Sequence, residues 1–546
     1  MVPPIAIEAL LAKTDDPRFK TRRAQNWVFL GLMYAMFYMG RYNFAAVNPV
    51  LTGKFGWSNS DVGAIISAGK ITYGVSVFLN GPLADKIGGK KAILIGAIGS
   101  AAFNLVFGFG YLFLGHDAVI AAGKVVTPAT FNAGMTHTNV IAFFAIAWAM
   151  NHYFQSFGAL SIVKINAAWF KVEERGSFAG IFGIMIQSGR TLAFAVGPLI
   201  AGALPWQWVF WVPAASLGVL FLLNSKLVEN TPADAGLGEL DTGDETAEEK
   251  ASAGGLAFVL KKVFASKTMW IIAASSMMIG FVRNGVDDWF PKYFANVHKA
   301  SAMQKAAMIP YNLGALATSV LIILGILKLK GRIDQRKDWT SARRFTAAFS
   351  VVGVVFLIAG IVMAALLRRI ENNEAIQAAE LGHKFASQIP SVCFVFASVG
   401  MPIAAVFGGL VSGNLSEVVF DHRRAPVIFL AFTGMAVTAI VFSVVAGGPF
   451  FAAWMMILIS FFIQSAHSLV GGAASMDFGG RKAVATAAGL FDGAQYVAGA
   501  IVALMLGNIL DKFGWSAWGY TLVPFAILGA MLIGTLWNAK PGRAGH

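Results

Sequence analysis

GPLADKIGGKKAIL, residues 81–94, joins two long apolar runs, 61–83 and 91–113, through a connection with three glycines, one acid and three lysines. Each run is long enough, at about 1.5 Å per helical residue, to cross a hydrocarbon core of about 30 Å. So short a connection leaves the two spans as antiparallel neighbours. Its glycines allow a tight turn, and its lysines mark the cytoplasmic side of a membrane. The stretch reads as the tip of a transmembrane helical hairpin.

The rest of the chain agrees. Of 546 residues, 57% are hydrophobic and 13% charged, where a soluble protein carries about a quarter charged. The net charge of +14 does not call for a nucleic-acid partner, because the basic residues gather at span ends: TRR (21–23), DKIGGKK (85–91), KLKGRIDQRK (328–337) and DHRR (421–424). That is the placement expected of cytoplasmic loops. The single cysteine, Cys393, excludes an internal disulfide. No metal-ligand cluster stands out and no cofactor is expected. The opening residues, MVPPIAIEALLAKTDDPRFKTRR, put apolar before basic residues and do not read as a secretory signal.

Apolar runs predict spans at 27–49, 61–83, 91–113, 138–165, 176–204 and 207–226, then at 268–296, 304–327, 345–367, 390–414, 426–446, 450–475, 484–511 and 516–537. About fourteen spans follow, and alternation from a cytoplasmic N-terminus puts every basic cluster inside, with both termini cytoplasmic. Residues 227–264, with eight acids and few aromatics, read as a solvated cytoplasmic linker. The chain thus divides into a half at 1–226, the linker at 227–264, and a half at 265–546.

Internal repetition supports that division. RYNFAAVNP (41–49) and RNGVDDWFP (283–291) each place an arginine eight residues before a proline, in the first span of each half. GIFGIMIQ (180–187) and GLFDGAQY (489–496) form a second, weaker echo. Parallel repeats of this kind are a common plan in secondary transporters. The second half has two spans too many, and the pair 304–327 and 345–367 is the natural insert, within about 300–388. RRIENNEAIQAAELGHKFASQ (368–388) then reads as an amphipathic external helix.

Arg41 lies about 20 Å into its span, too deep to snorkel. A guanidinium there costs about 2.5–3.5 kcal/mol on insertion scales, so it should face a wet cavity or a partner. Tyr34, Tyr38, Arg41 and Asn48 share one helical face. Arg283 holds the matching place, although Asp287, four residues on, could pair with it along the helix. Two such arginines from opposite halves would clamp an anion, and phosphate suits the guanidinium fork. Lys70, Arg190, Asp492 and His467 are further polar residues within spans. Lys70 stands one turn from Tyr73 and Arg190 one turn from Gln187; these cations either look into the cavity or form packing ion pairs, with Asp492 able to neutralise either.

GPLADKIGGKKAIL resembles the signature loop of the major facilitator superfamily, with a poorer copy at 408–427 where Ser412 replaces the acid. YAMFYMGRYNFA, ISAGKITYG, FVRNGVDDWFPKYF, ENTPADAGL and TAAGLFDGAQYVAG together resemble the organophosphate:inorganic phosphate antiporters, over nearly the whole chain except about 300–388. The resemblance implies an all-α major facilitator fold of two six-helix halves, here with an inserted two-helix hairpin. It implies that Arg41 and Arg283 bind the phosphoryl group, with Tyr34, Tyr38, Tyr73 and Tyr496 as cavity tyrosines. It implies that Asp85 and the basic hairpin, with Lys90 and Lys91, belong to the cytoplasmic gate. The family's second-span lysine falls on Val77, a histidine on Ile186, and a tyrosine on Gln464.

The expectation is a transporter, not an enzyme, in the inner (plasma) membrane, acting as a monomer in the lipid bilayer. It would exchange a phosphorylated metabolite for inorganic phosphate. Two rivals stand beside it: a membrane sensor of a sugar phosphate that signals to a kinase, and a proton-coupled organic-anion transporter using Asp492.

Overall fold

The computed structural model describes residues 16–121, 124–132, 134–170, 185–240, 264–300, 389–421, 423–445 and 447–539. The expected spans 304–327 and 345–367 and the expected external helix 368–388 lie outside the described residues.

The first group of helices comprises α1 (Pro17–Phe55), α2 (Asn59–Ile87), α3 (Gly89–Gly108), α4 (His137–Trp169), α5 (185–203) and α6 (Trp208–Leu227). The second comprises α7 (Lys267–Asp287), α8 (Phe290–Val297), α9 (Ile389–Val418), α10 (Ala425–Val444), α11 (Pro449–Ser468), α12 (Ser475–Phe513) and α13 (Ala517–Gly534). Local chemistry sets many of the ends. Asp16 caps α1, with Pro17 next in line, and Gly56 closes it in the left-handed region at φ 68°. Ser58 and Asp61 form a capping box at the start of α2.

Among the described residues, nine helical segments are long and apolar enough to cross a membrane. Helices α1 and α4, at 39 and 33 residues, are not among those nine. The reason is chemical: α1 buries Arg41, Asn43 and Asn48, and α4 buries Asn151, His152 and Gln155. These two helices give a polar face to the interior of the bundle. The π segment Leu192–Val196 lies within α5, and a second, Leu469–Ala474, joins α11 to α12.

Within the first group, α4 packs on α2 and α3, and α6 on α3 and α1. Within the second, α7 packs on α12 and α13, α9 on α11, and α10 on α11 and α13. The groups meet most extensively along α2 and α12. Glycines allow that approach: a Cβ on Gly507 would stand 2.7 Å from the Asn59 carbonyl oxygen, and one on Gly63 would overlap the Ala503 carbonyl.

Two features were not foreseen. Between α3 and α4 the chain forms short antiparallel strand pairs, β1 (Leu114–His116) with β4 (Thr130–Phe131) and β2 (Val119–Ala121) with β3 (Lys124–Thr127). This hairpin is pinned to the end of α1 by the Lys54–Asp117 ion pair at 2.7 Å. The solvated-linker reading also needs correcting where the segment begins. Val228 is fully buried, and the Glu229 carboxylate reaches Lys90 Nζ at 3.0 Å and Arg22 at 3.7 Å. The Glu229 carbonyl accepts from Asn26 and from the Trp169 indole. Charge here is used for docking, because three basic or donor-bearing helix ends converge on it. Residues 241–263 lie outside the described residues.

Candidate functional site

Arg41 is buried among tyrosines. Its Cζ lies 4.7 Å from the Tyr38 ring, 4.5 Å from Tyr73 and 5.9 Å from Tyr496. Such cation–π contacts are worth about 2 kcal/mol where water is excluded. Its Nε donates to Gln155 Oε1 at 2.7 Å and its Nη1 to the Tyr496 hydroxyl at 2.6 Å. Tyr34 stands edge-on to Tyr38 at 5.2 Å, deeper in the first group.

A polar network holds this arginine in place. Gln155 Nε2 donates to Asn151 Oδ1 and Ser100 Oγ, Asn104 donates to the same Asn151 oxygen, and Asn43 donates to Asn104. Asn151 in turn donates to the Gly40 carbonyl, next to Arg41. Helices α1, α3 and α4 are thereby tied behind the guanidinium. A satisfied buried network is rigid, and its rigidity passes to Arg41.

Tyr496 of α12 stacks on Tyr73 of α2 at 4.0 Å. Arg283 of α7 lies half-buried with its Cζ 5.7 Å from the same Tyr496 ring. Tyr496 therefore stands between the two arginines. Arg41 Nη2 and Arg283 Nε are buried donors with no hydrogen-bond partner. Each costs about 1–3 kcal/mol until an acceptor arrives. Among the described residues, neither arginine pairs with a carboxylate.

The other intramembrane cations do. Arg190 of α5 pairs with Asp287 of α7, and Lys70 of α2 lies 3.2 Å from Asp288 while donating to Asn284 Oδ1 at 2.7 Å. The expected alternative of an Arg283–Asp287 pair is thus corrected: Asp287 turns to Arg190 on the facing helix. So is the expectation that Asp492 might neutralise Lys70 or Arg190, since both are taken by other acids. Asp492 has Arg283 and Arg41 as its charged neighbours. Both pairs cross between the helix groups. They sit where α7 gives way to α8, a break marked by Trp289 and by Pro291, which lacks an N–H. Irregular backbone at this depth is tolerated where protein covers it, and Asp287, Asp288, Trp289, Phe290 and Pro291 are all buried.

Other expected residues fall at varied distances. His467 faces Arg283 and Gln495. Gln187 is buried one turn before Arg190, with Oε1 unpartnered. Gln464 is half-buried against Gly409 and joins none of these contacts. Val77 packs with Tyr73 and Tyr496 as an apolar wall. In the hairpin, Lys90 is tied to Glu229 and its backbone N–H to Asn230, whereas Lys91 is exposed; Asp85 lies within α2. Sequence reasoning missed Tyr42, His152, Gln155, Asn284 and Asp288. Tyr42 receives Lys70 Nζ at 5.5 Å and Arg190 Cζ at 5.9 Å over its ring. Its spacing of four from Tyr38, and the spacing of Asn151, His152 and Gln155 on α4, were the available signals.

A family profile described as Major Facilitator Superfamily matches residues 30–370. The chain is 24% identical over 551 residues to the glycerol-3-phosphate transporter of Bacillus subtilis (strain 168), covering 99% of this chain and 98% of that one. It is 20% identical to a probable hexose phosphate transport protein of Chlamydia trachomatis, covering 97% and 95%. The membrane sensor protein UhpC of Salmonella typhimurium matches at 26%, over 51% of this chain and 58% of that one. Among solved structures, a bacterial homologue of the human lysosomal transporter Spinster, inward-facing and unoccupied, aligns with a TM-score of 0.61 at 12% identity, covering 96% and 98%. The D-xylose–proton symporter aligns with a TM-score of 0.56 at 14% identity, covering 94% and 97%. These likenesses bear out the resemblance drawn from the motifs and the all-α polytopic fold. The chain belongs to the major facilitator superfamily and is a membrane transporter of that fold.

Proposed function

We propose that this transporter exchanges an organophosphate for inorganic phosphate, carrying each through a central site between two halves that rock about it. One observation carries the reading. Arg41 and Arg283, from the two helix groups, flank Tyr496 with buried, unpartnered donors and, among the described residues, no carboxylate in ion-pair contact with either. An oxyanion between them satisfies both, and phosphate offers oxygens to two guanidinium forks at once. Relatives spanning nearly the whole chain, named as glycerol-3-phosphate and hexose phosphate transporters, support the substrate class.

Arg41 and Arg283 bind the phosphoryl group in this reading, and Tyr38, Tyr73 and Tyr496 orient it. Residues 1–226 and 265–546 form the two moving halves, joined by 227–264. The carrier acts as a monomer in the plasma membrane with both termini cytoplasmic. Asp85, Lys90 and Lys91 belong to the cytoplasmic gate.

The test is phosphate exchange by the purified protein in vesicles. Arg41→Lys and Arg283→Lys keep the charge but lose the planar fork, so each should cut exchange at least tenfold. Near-normal exchange in either variant, at equal amounts of folded protein, removes that arginine from the site.

A further inference from the structure

Two layers close the bundle at the end that carries the β hairpins. One is aromatic: Tyr42 of α1 packs on Phe194 of α5 at 5.5 Å, and Phe194 meets Phe290 of α8 edge-on at 4.8 Å, across the helix groups. The other is polar. The Asp511 carboxylate of α12 accepts the backbone N–H groups of Asn59 and Ser60 at the start of α2, again across the groups. Both layers favour closure.

Lys292 does not. It lies in the first turn of α8, is 1% exposed, and among the described residues its Nζ has no hydrogen-bond partner. Helix α8 packs on α1, so contact between the groups helps to bury it. Its charged neighbours are Asp511 from its own group and Asp61 from the other, and neither hydrogen-bonds to it. Both carboxylates are engaged elsewhere: Asp511 with the two amides and the Ser60 hydroxyl, Asp61 with Ser58 and the His137 ring at 3.1 Å.

The sign of its effect follows from those contacts. An ammonium taken out of water loses its hydrogen bonds, and attraction to carboxylates offsets that penalty only when the geometry is good and the protons find acceptors. Lys292 has the attraction without the contacts. A lysine that latched the groups together would reach Asp61 across the interface, as Lys70 reaches Asp288 at 3.2 Å. Parting the groups at this end takes α1 and α2 away from α8 and admits water to the ammonium. The penalty therefore belongs to the closed state alone.

We propose that Lys292 is a built-in opener: its burial opposes closure of this end and balances the hold of Asp511 on α2. Each cycle of transport opens and recloses this end, and a penalty confined to the closed state brings the two states closer in energy. The proposal rests on the rocking of the two halves, as the exchange reading does, but not on what is carried.

The experiment is labelling by a membrane-impermeant maleimide of an Ala503→Cys thiol, in protein whose Cys393 is replaced by alanine. Ala503 is fully buried where α12 crosses Gly63 of α2, and rapid opening makes the labelling rate follow the open population. Lys292→Met keeps an apolar stem and removes the charge, so it should slow labelling at least tenfold. Added to Asp511→Ala, which opens this end and removes one of the two counter-charges, it should slow labelling by at least the same factor. Lys292→Gln, uncharged but polar, should slow labelling in the same direction. Faster labelling in either variant, at an unchanged melting temperature, makes Lys292 a latch and overturns the proposal. Unchanged labelling in both variants overturns it too. A thiol at 503 that stays unlabelled even in Asp511→Ala refutes opening at this end, and the role of Lys292 with it. The labelling order decides the matter whether or not phosphate is exchanged, and loss of exchange alone counts against the proposed ligand.

Discussion

Removing the Asp511 carboxylate should open the bundle at the end that carries the β hairpins. Asp511, near the end of α12, accepts the backbone N–H of Asn59 at 3.0 Å, that of Ser60 at 2.8 Å, and the Ser60 hydroxyl. Those amides belong to the first turn of α2, whose N–H groups have no partner within the helix. One helix group thus caps a helix of the other, and the positive end of the α2 dipole favours the carboxylate. A single capping contact is worth about 0.5–2 kcal/mol. Asp511 is exposed and screened by salt, so three contacts in the lower part of that range, about 0.7 kcal/mol each, give about 2 kcal/mol. At 1.4 kcal/mol per factor of ten, the open population at this end should rise about 30-fold in Asp511→Ala.

The lone cysteine makes this measurable, since Cys393 is buried and can be replaced by alanine to give a cysteine-free parent. Ala503→Cys then places a thiol at a fully buried position, where α12 crosses Gly63 of α2. When opening is rapid, the rate of labelling by a membrane-impermeant maleimide follows the open population. The expected result is an increase of about 30-fold on adding Asp511→Ala, with a smaller one for Ser60→Ala, which removes only the hydroxyl. Unchanged labelling in Asp511→Ala would show that the α2–α12 contact is held by packing alone.

Breaking the Lys70–Asp288 pair by Asp288→Ala should destabilise the folded protein by about 3–5 kcal/mol, because Lys70 is left as a buried, uncompensated charge; Lys70→Met in the same chain should recover much of the loss in a detergent unfolding assay. Glu229→Ala should lower the melting temperature while leaving the phosphate concentration for half-maximal exchange unchanged, since Glu229 holds Arg22 and Lys90 far from the arginines. Vesicles preloaded with phosphate should take up labelled phosphate at least tenfold faster than empty ones, and equal uptake would exclude exchange. Acid-driven uptake into empty vesicles would instead favour proton coupling through Asp492.

Much of this was legible in the sequence, for reasons that differ by residue. Arg41 and Arg283 stood out because a guanidinium deep in a span is costly, and because the eight-residue spacing to proline recurs. Tyr73 and Tyr496 followed from resemblance; nothing local announces that rings so distant in sequence stack at 4.0 Å. The ion pairs were not legible. Arg190 and Asp287 are 97 residues apart, and Asp287 lies one turn from Arg283, so proximity in sequence pointed to the wrong partner. Which of two neighbouring acids meets which cation is decided by the facing helix, and a single strand of sequence carries no register between helices. Gln155 could have been found, since it recurs with Asn151 and His152 on one face of α4. The hairpin at 114–131 was missed because attention to spans treats the segments between them as loops.

The two arginines of the site are held unequally, and this has a mechanical consequence. Arg41 is fixed from behind by Gln155 and the asparagine–serine network, and from the other group by Tyr496. Arg283 is half-buried, with its Nε unpartnered. In the proposed exchange, a phosphate arriving between them would meet one guanidinium already in position and another that must close on it, so the ordering cost of binding would fall mainly on Arg283. The Tyr496 hydroxyl stands in that path, bonded to Arg41 from the opposite helix group. An anion that takes over Arg41 Nη1 releases Tyr496, and with it a contact that ties α12 to α1. Ligand binding thereby exchanges one link between the groups for another, through the phosphate itself. A ligand moves a conformational balance only by its differential affinity for the two states, and a bridge that forms only when both arginines converge supplies such a difference. The Lys70–Asp288 and Arg190–Asp287 pairs cancel the repulsion that four cations would otherwise impose on closing. In the proposed mechanism, what would oppose closure of the empty carrier is the pair Arg41 and Arg283, softened by Asp492, and this is the pair that a phosphate dianion would neutralise.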